Sequence, residues 1–235
     1  KKWKALLQKE ATVVDVNTTE ETWIELRELC VTDRQKKLLD SIKVKIMASP
    51  SLEFELNWSG EDYARTTGNS EHGNGRLTKD GKANINMEHG KSNTADHEAG
   101  HYWFDNLAKS KEKGGNPELY KKIKETLIKY IKTNPNLIPY VKFGEHYDGV
   151  TRKAGKKLVD KGLPSERLET DGEFEQRIED TITDETIIEF IADVVNGKEN
   201  LIDTKTKNGV LNTLKGMFGT LVGNKGTDNM SFDEV

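Results

Sequence analysis

The sequence predicts an α+β fold, with a small sheet in the N-terminal part of the chain and mainly helices after it. Before residue 91, short runs alternate apolar and polar side chains, which is typical of strands with one buried face. After residue 92 the apolar side chains recur every three or four positions, which is typical of helices. We therefore expect an N-terminal helical segment at 1–40 and one domain at 41–235, sheet-rich over 41–91 and mainly helical over 92–235.

A helix is predicted from about residue 18 to residue 40. Thr18 is followed three residues later by Glu21, which is the spacing of a capping box at the start of a helix. Apolar side chains then recur at helical spacing at Trp23, Leu26, Leu29 and Cys30. Cys30 is the single cysteine, so no internal disulfide can form, and we expect it to be a small apolar residue on the helix face.

Three strands are predicted next. Two of them should form a hairpin around residues 49–51. Their alternating apolar residues are Ile42, Val44 and Ile46 in one strand and Leu52, Phe54, Leu56 and Trp58 in the other. Residues 59–82 hold five glycines among Asn, Ser and Thr and are expected to be an irregular connection. The third strand is predicted by the alternating residues Ala83, Ile85 and Met87.

Four helices are predicted in the second half of the chain. The first runs from residue 92 to about residue 109, and the second runs from Pro117 to Asn134, because proline fits the first turn of a helix and is disfavoured in its interior. A third is expected over about 184–196, and residues 136–175 give no clear pattern. The last is indicated by Leu211, Leu214, Phe218 and Leu221.

The charge and composition of the chain exclude some classes of partner. Of its 235 residues 32% are charged, and the net charge is −4 with both signs interspersed, so we expect no nucleic-acid or membrane partner. No apolar stretch reaches the roughly 18–20 residues that cross a bilayer, and no signal-peptide pattern is visible. A cytoplasmic location is expected. The chain starts at Lys1 without a methionine, and we expect it to be part of a larger polypeptide.

The strongest motif is His97-Glu98-Ala99-Gly100-His101. Two histidines four positions apart lie on the same face of a helix, so both imidazoles can bind one cation. Zinc lowers the pKa of a bound water, and Glu98 lies where it can accept the proton of that water without binding the metal itself. The neighbouring side chains are mostly uncharged, which favours a buried metal helix over the alternative of two surface histidines. We therefore expect a hydrolase with a Zn²⁺ cofactor.

The third ligand of a catalytic zinc ion must come from elsewhere in the chain. A third histidine six residues after the motif is excluded, because position 107 is a leucine. Glu189 is the better candidate, since it lies four residues before Asp193 in an otherwise apolar run, and buried carboxylates need cationic or hydrogen-bonding partners. A zinc ion would satisfy Glu189, and a histidine N–H would satisfy Asp193. The alternatives are pairing with Lys or Arg, a solvated face, or His146 as the third ligand.

The motif followed far downstream by Glu189 and Asp193 resembles the gluzincins, the thermolysin-like group of zinc metallopeptidases. The resemblance implies a zincin-like fold and the hydrolysis of peptide bonds in a peptide or protein substrate. It implies that Glu189 binds zinc together with the two histidines of the motif. It also implies that Glu98 is the general base and that Asp193 orients one of the histidines. Asp105, four residues after His101, matches an acidic position of the metal helix in this group.

The downstream segment differs in sequence from the corresponding motif of thermolysin. Ile188-Glu189-Phe190-Ile191-Ala192-Asp193 stands in place of an Asn-Glu-x-x-Ser-Asp pattern. Together with residues 214–221, this segment is similar to the metallopeptidase-like domains of phage and prophage head proteins. That second resemblance implies a virion-associated location as the alternative to the cytoplasm.

Three further features are candidates for the site. His146 and Tyr147 are expected in a polar loop between helices, where either could stabilise transition-state charge as a histidine or tyrosine does in gluzincins; the alternative is an exposed loop pair. The strand at 83–87 is expected at a sheet edge, where it would either pair with an extended peptide or be an ordinary edge strand. His72 and His89 are expected at the surface.

The sequence thus predicts a zinc metalloendopeptidase in which Glu98 acts first as general base and then as general acid. One alternative is a non-catalytic zincin-fold domain, with a structural or interaction role in a phage or prophage head protein. Another is a secreted or injected protease toxin. The intact Glu98 favours an enzyme, because a purely structural zinc site has no use for a base.

Overall fold

The computed structural model of the protein describes residues 11–78, 80–159 and 167–195. It confirms the α+β class, since a small mixed sheet is combined with a larger number of helices. In these ranges no helix is both long and apolar enough to cross a membrane.

The chain divides into two compact units. Among the described residues, the first unit contains those up to Pro117 together with 191–195, and the second contains those between 118 and 190. The division after residue 190 falls within the last described helix, which continues through it without a break.

The sheet of the first unit has four described strands. They are β1 (Thr12–Val14), β2 (Glu53–Asn57), β3 (Gly75–Leu77) and β4 (Lys82–Asn86), in the spatial order β1-β2-β4-β3. β2 and β4 are parallel, whereas β1 pairs with β2 and β3 with β4 in the antiparallel direction. Its fully buried apolar side chains include Val14, Phe54, Leu56, Ala83 and Ile85.

Two of the predicted strands are confirmed, as β2 and β4. The expected edge position of the strand at 83–87 is wrong, because β2 and β3 flank β4 on both sides. Asn84 is 2% exposed and Asn86 is completely buried, so these amides lie inside the structure. The edges of the described sheet are β1, which the sequence did not predict, and β3.

The single helix predicted over 18–40 is wrong, because the chain forms α1 (Glu20–Leu29) and α2 (Asp33–Ala48) instead. The break lies at Thr32, whose hydroxyl accepts a hydrogen bond from the backbone N–H of Gln35. The side chain of Gln35 in turn accepts from the backbone N–H of Thr32, which completes a capping box. The capping box at Thr32 starts a new helix, although apolar residues continue at helical spacing across this position.

The predicted hairpin strand at 42–46 is also wrong, since these residues belong to α2. Ile42 and Ile46 are buried and lie four positions apart, while Val44 between them is 58% exposed. The alternation was therefore part of a helical stripe, seen over a window too short to separate a period of 2 from one of 3.6.

The connection predicted over 59–82 is partly regular, because it contains α3 (Gly60–Thr67) as well as β3. The hydroxyl of Ser59 accepts a hydrogen bond from the backbone N–H of Asp62 and so caps the start of α3. Gly68 ends α3 with a φ of 69°, a left-handed conformation that favours glycine.

The motif lies on α4 (Thr94–Ala108), so the helix predicted over about 92–109 is confirmed. α4 packs against α2 and against the strands β3 and β4. The metal motif is thereby held between a helix and the sheet of the first unit.

The rest of the described chain forms further helices and a two-stranded ribbon. The elements from residue 111 onward are short 3₁₀ turns at Lys111–Lys113 and Pro135–Leu137, the helices α5 (Pro117–Thr133), α6 (Ile138–Ala154) and α7 (Asp171–Val195), and the strands β5 (Leu158–Val159) and β6 (Arg167–Leu168). α5 confirms the helix predicted to start at Pro117. β5 and β6 pair in the antiparallel direction.

α7 begins well before the predicted start near residue 184. Its first half is mostly polar and gives little apolar periodicity, but ion pairs anchor it. The guanidinium of Arg177 donates to both carboxylate oxygens of Glu169 and, with the backbone N–H of Lys157, holds the pKa of Glu169 down at about 2. The helix predicted around 211–221 lies outside the described residues.

Gly144 of α6 lies directly against α7. A methyl group at this position would fall 2.5 Å from the backbone oxygen of Ile182 and closer still to the hydroxyl of Thr186. We expect Gly144→Ala to lower the free energy of unfolding by about 1–3 kcal/mol, because overpacking must push the two helices apart. Chemical denaturation measures this change.

Gly149→Ala is the matched control on the same helix, because no neighbouring atom lies within 4 Å of its Cβ position. Its higher helix propensity should raise the free energy of unfolding by up to about 1 kcal/mol. A Gly144→Ala protein that is as stable as the control would contradict the close approach of α6 and α7.

Candidate metal centre

His97 and His101 lie one turn apart on the same face of α4. Their Nε2 atoms are 3.1 Å apart, and their rings meet edge to face with centroids separated by 4.9 Å. Two nitrogen ligands about 2.1 Å from one tetrahedral ion are separated by roughly 3.4 Å, so the observed spacing is within a few tenths of an ångström of the spacing that a shared metal ion requires. The structure thus brings these two predicted ligands together, and their chemistry and geometry fit a transition-metal ion.

The part of α4 that carries the motif is buried, although it is rich in polar groups. Every residue from Thr94 to Gly100 is buried, and small side chains at Ala95 and Ala99 let neighbouring elements approach closely. His97 is 8% exposed and Glu98 is 5% exposed, whereas His101 is half-buried. The predicted general base therefore lies in a region of low dielectric, where interactions between charges are strong.

A buried ion pair fixes α4 to α2. Nζ of Lys45 lies 2.5 Å from Oδ1 of Asp96, and the hydroxyl of Ser41 donates to Oδ2 of Asp96 at 3.0 Å. The Lys45 and Asp96 side chains are only 8% and 3% exposed. Because Asp96 immediately precedes His97, the pair determines the position of the helical turn from which the first histidine projects.

Glu98 lies against the edge strand β3. A methyl group on Gly75, the first residue of β3, would lie 2.7 Å from Oε1 of Glu98 and 2.7 Å from Cγ2 of Thr94. Glycine here lets the strand lie close to α4 without displacing either side chain. In the sequence Gly75 is one of several glycines in a connection, so nothing there pointed to its contact with the predicted base.

Tyr63 of α3 is a further buried group that interacts with Glu98. Its side chain is completely buried, and this burial raises the pKa of its hydroxyl. The negative charge of Glu98 adds to the shift, while a hydrogen bond from Nδ2 of Asn69 at 3.4 Å opposes it. Sequence analysis did not single out Tyr63, because its position in α3 is not marked by any motif.

Asp193 is held by the residue that precedes α4. The side-chain amide of Asn93 donates a hydrogen bond to Oδ1 of Asp193 at 2.9 Å, and both side chains are buried. Asn93 is the N-cap of α4, but its side chain makes no capping hydrogen bond with the helix. The structure therefore places Asp193 beside the start of the metal helix, and its contact with a histidine stays a prediction.

Asp105 and Glu189 are found on the expected helices. Asp105 lies one turn after His101 on α4, where desolvation raises its pKa and the charge of His101 acts against that shift. Glu189 is half-buried on α7. The roles predicted for the two carboxylates stay predictions.

The loop predicted for His146 and Tyr147 is wrong, because both residues lie inside α6. A glycine in a polar stretch is typical of a loop, but here Gly144 is packed tightly against Thr186 and the helix continues through it. His146 is exposed, and Tyr147 packs against Phe143 with ring centroids 5.7 Å apart. Their predicted roles at the site stay predictions.

Comparison with known proteins adds no family to this picture. No family model, no curated protein and no solved structure matches the chain. The functional argument is therefore carried by the side chains around α4. These are two imidazoles at a spacing that fits a shared metal ion, a buried carboxylate between them in sequence, and an ion pair that fixes their helix.

Lys45→Met removes the buried cation and keeps most of the length of the side chain. Asp96 would then stay buried without this cation, and we expect the free energy of unfolding to fall by about 3–5 kcal/mol. The control is Lys43→Met on the same helix, because the ion pair of Lys43 with Glu20 is much more exposed and should contribute about 0–1 kcal/mol. Chemical denaturation compares them, and equal effects of the two substitutions would contradict the anchoring role of Lys45.

Proposed function

We propose that this chain is a zinc metalloendopeptidase with a zincin-like fold. The observation that carries the proposal is the 3.1 Å separation of the Nε2 atoms of His97 and His101 on a buried helix that also carries Glu98. Imidazole nitrogens are ligands that zinc prefers, whereas Mg²⁺ and Ca²⁺ take oxygen ligands. A buried carboxylate next to such a pair supports a hydrolytic role, because a structural zinc ion needs no base.

A carboxylate of α7 is proposed to complete the ligand set. Asp193, which Asn93 holds at the start of α4, shares a face of α7 with Glu189 one turn earlier and Glu185 two turns earlier. Glu189 is the ligand that the gluzincin resemblance implies. Glu185 is buried on the same face of α7, which makes it a second candidate. These two glutamates are therefore the candidates for the third ligand.

Glu98 performs the proton transfers in this proposal. A bound zinc ion would supply a coordinated water of lowered pKa and would polarise the carbonyl of the peptide bond. The carboxylate of Glu98 accepts the proton from the water and then donates it to the leaving amine, as general base and general acid in turn. Gly75 of β3 lies close to this carboxylate, so strand backbone borders the proposed base.

The proposed substrate-binding strand is β3, in place of β4. Among the described residues β3 pairs only with β4, so its other edge is available for hydrogen bonds to an extended peptide. Gly75 brings this strand against Glu98. A peptide added at that edge would therefore run beside the general base, and its backbone would be bound without selection for particular side chains.

Glu98→Gln tests the proposed base. The substitution keeps the size of the side chain but removes its ability to accept a proton, so zinc content should equal that of the wild type. Cleavage of an unfolded protein such as casein should fall by about 10²–10⁴-fold. Metal analysis and a cleavage assay on the zinc-loaded proteins measure the two effects, and Glu145→Gln at an exposed position of α6 is the control.

Cleavage by the Glu98→Gln protein at the wild-type rate would exclude Glu98 as the base. If zinc is bound and neither protein cleaves any substrate, the alternative of a non-catalytic zincin-fold domain in a phage or prophage head protein is favoured.

The zinc ligands are tested by affinity. His101→Ala should abolish tight zinc binding, and alanine at the true third ligand, Glu185 or Glu189, should weaken it by more than the roughly 10–100-fold that removal of a residue supporting a ligand costs. Competition with a chromophoric chelator measures the affinity. Glu179→Ala at an exposed position of the same helix is the control. Wild-type affinity in both glutamate variants would show that the third ligand does not lie on α7.

A further inference from the structure

His72 and His89 form a second histidine pair in the first unit. Nδ1 of His72 lies 3.5 Å from Nε2 of His89, and their rings meet edge to face with centroids 5.0 Å apart and an interplanar angle of 79°. The motif pair on α4 has nearly the same ring geometry, with 4.9 Å and 72°. The two residues belong to different connections, one between α3 and β3 and the other between β4 and α4.

The distance between the two nitrogens is compatible with shared metal binding. Nδ1 of His72 and Nε2 of His89 are 3.5 Å apart. Two imidazole nitrogens bound to one tetrahedral zinc ion at about 2.1 Å lie roughly 3.4 Å apart. A shared ion would therefore need little movement of either ring.

A buried asparagine holds the two connections in this position. The side-chain amide of Asn86 donates to the backbone oxygens of Glu71 and Gly73, both at 2.8 Å, on either side of His72. The oxygen of the same amide accepts from the backbone N–H groups of Glu88 at 3.1 Å and His89 at 3.2 Å. Asn86 is completely buried. One side chain thus joins both backbone segments, and little ordering is left for a metal ion to impose.

The pair is open to solvent, since His72 is exposed and His89 is half-buried. In residues 11–78, 80–159 and 167–195, no third His, Cys, Asp or Glu completes a group with these two histidines. Water molecules would fill the other coordination positions. Such a site binds an ion more weakly, and exchanges it more readily, than a site with three protein ligands.

We propose that His72 and His89 form a second, weaker site for zinc or a similar transition-metal ion, separate from the site on α4. Imidazole ligands select zinc and its neighbours in the first transition series over Mg²⁺ and Ca²⁺. Binding would cross-link the connection that leads into β3, and hence to Gly75, with the turn that leads into α4. The site would work whether or not the chain is a peptidase.

Zinc titration calorimetry on the metal-free protein tests the proposal, with zinc as the only added ligand. The wild type should bind two zinc ions per chain, one tightly and one more weakly. His72→Ala and His89→Ala should each remove the weaker ion and leave the tight one. Glu145→Gln, which alters an exposed side chain of α6 that has no proposed role at either site, is the control and should keep both ions.

The weaker site can also be measured alone. In a His97→Ala/His101→Ala protein only the weaker ion should remain, and adding His72→Ala should abolish it. If that background does not fold, the stoichiometries of the wild type and His72→Ala decide the question. A wild-type zinc stoichiometry that neither His72→Ala nor His89→Ala lowers would overturn the proposal. Loss of zinc from α4 or absence of cleavage affects only the proposed peptidase function.

Discussion

The buried ion pair between Lys45 and Asp96 is the interaction on which the candidate site depends. Taking two charges out of water costs several kcal/mol per ion, so such a pair adds little net stability. Its effect is on position, because any sliding of α4 along α2 would separate the charges inside a medium of low dielectric. His97 follows Asp96 directly, and His101 follows one helical turn later. Both imidazoles therefore take their positions from a contact that neither of them makes.

A second constraint acts through the backbone on the other side of α4. Asn86 joins the connection before β3 to the turn before α4, so the start of the edge strand and the start of the metal helix are placed by one buried amide. The strand then approaches so closely that Gly75 has no room for a Cβ beside Glu98. Backbone therefore borders the Glu98 carboxylate on this side, which would favour one geometry for the proposed proton transfers.

The sequence predicts those features whose causes lie within one segment. The metal helix, the helix at Pro117 and β4 follow from caps and periodic stripes that a short window contains, and the pair His97 and His101 follows from helical spacing alone. Features that depend on distant partners were missed. Lys45 was assigned to a strand, and its partner is fifty-one residues away. Asn86 is a polar residue in the strand predicted at a sheet edge, whereas here the chain folds over it and its amide makes four hydrogen bonds.

The two histidine pairs differ in the backbone segments that carry them. This difference determines which part of the structure a bound metal ion would stabilise. A pair at positions i and i+4 is aligned whenever the helix forms, so an ion at the proposed site on α4 would need no ordering of loops to bring its two histidines together. A pair that spans two connections is aligned only while both are folded, and by linkage an ion bound to His72 and His89 stabilises that folded arrangement. The segment so stabilised leads to Gly75 and therefore to Glu98. An ion at the loop pair would act on the order of the strand beside the base, and an ion at the helix pair on the reacting water.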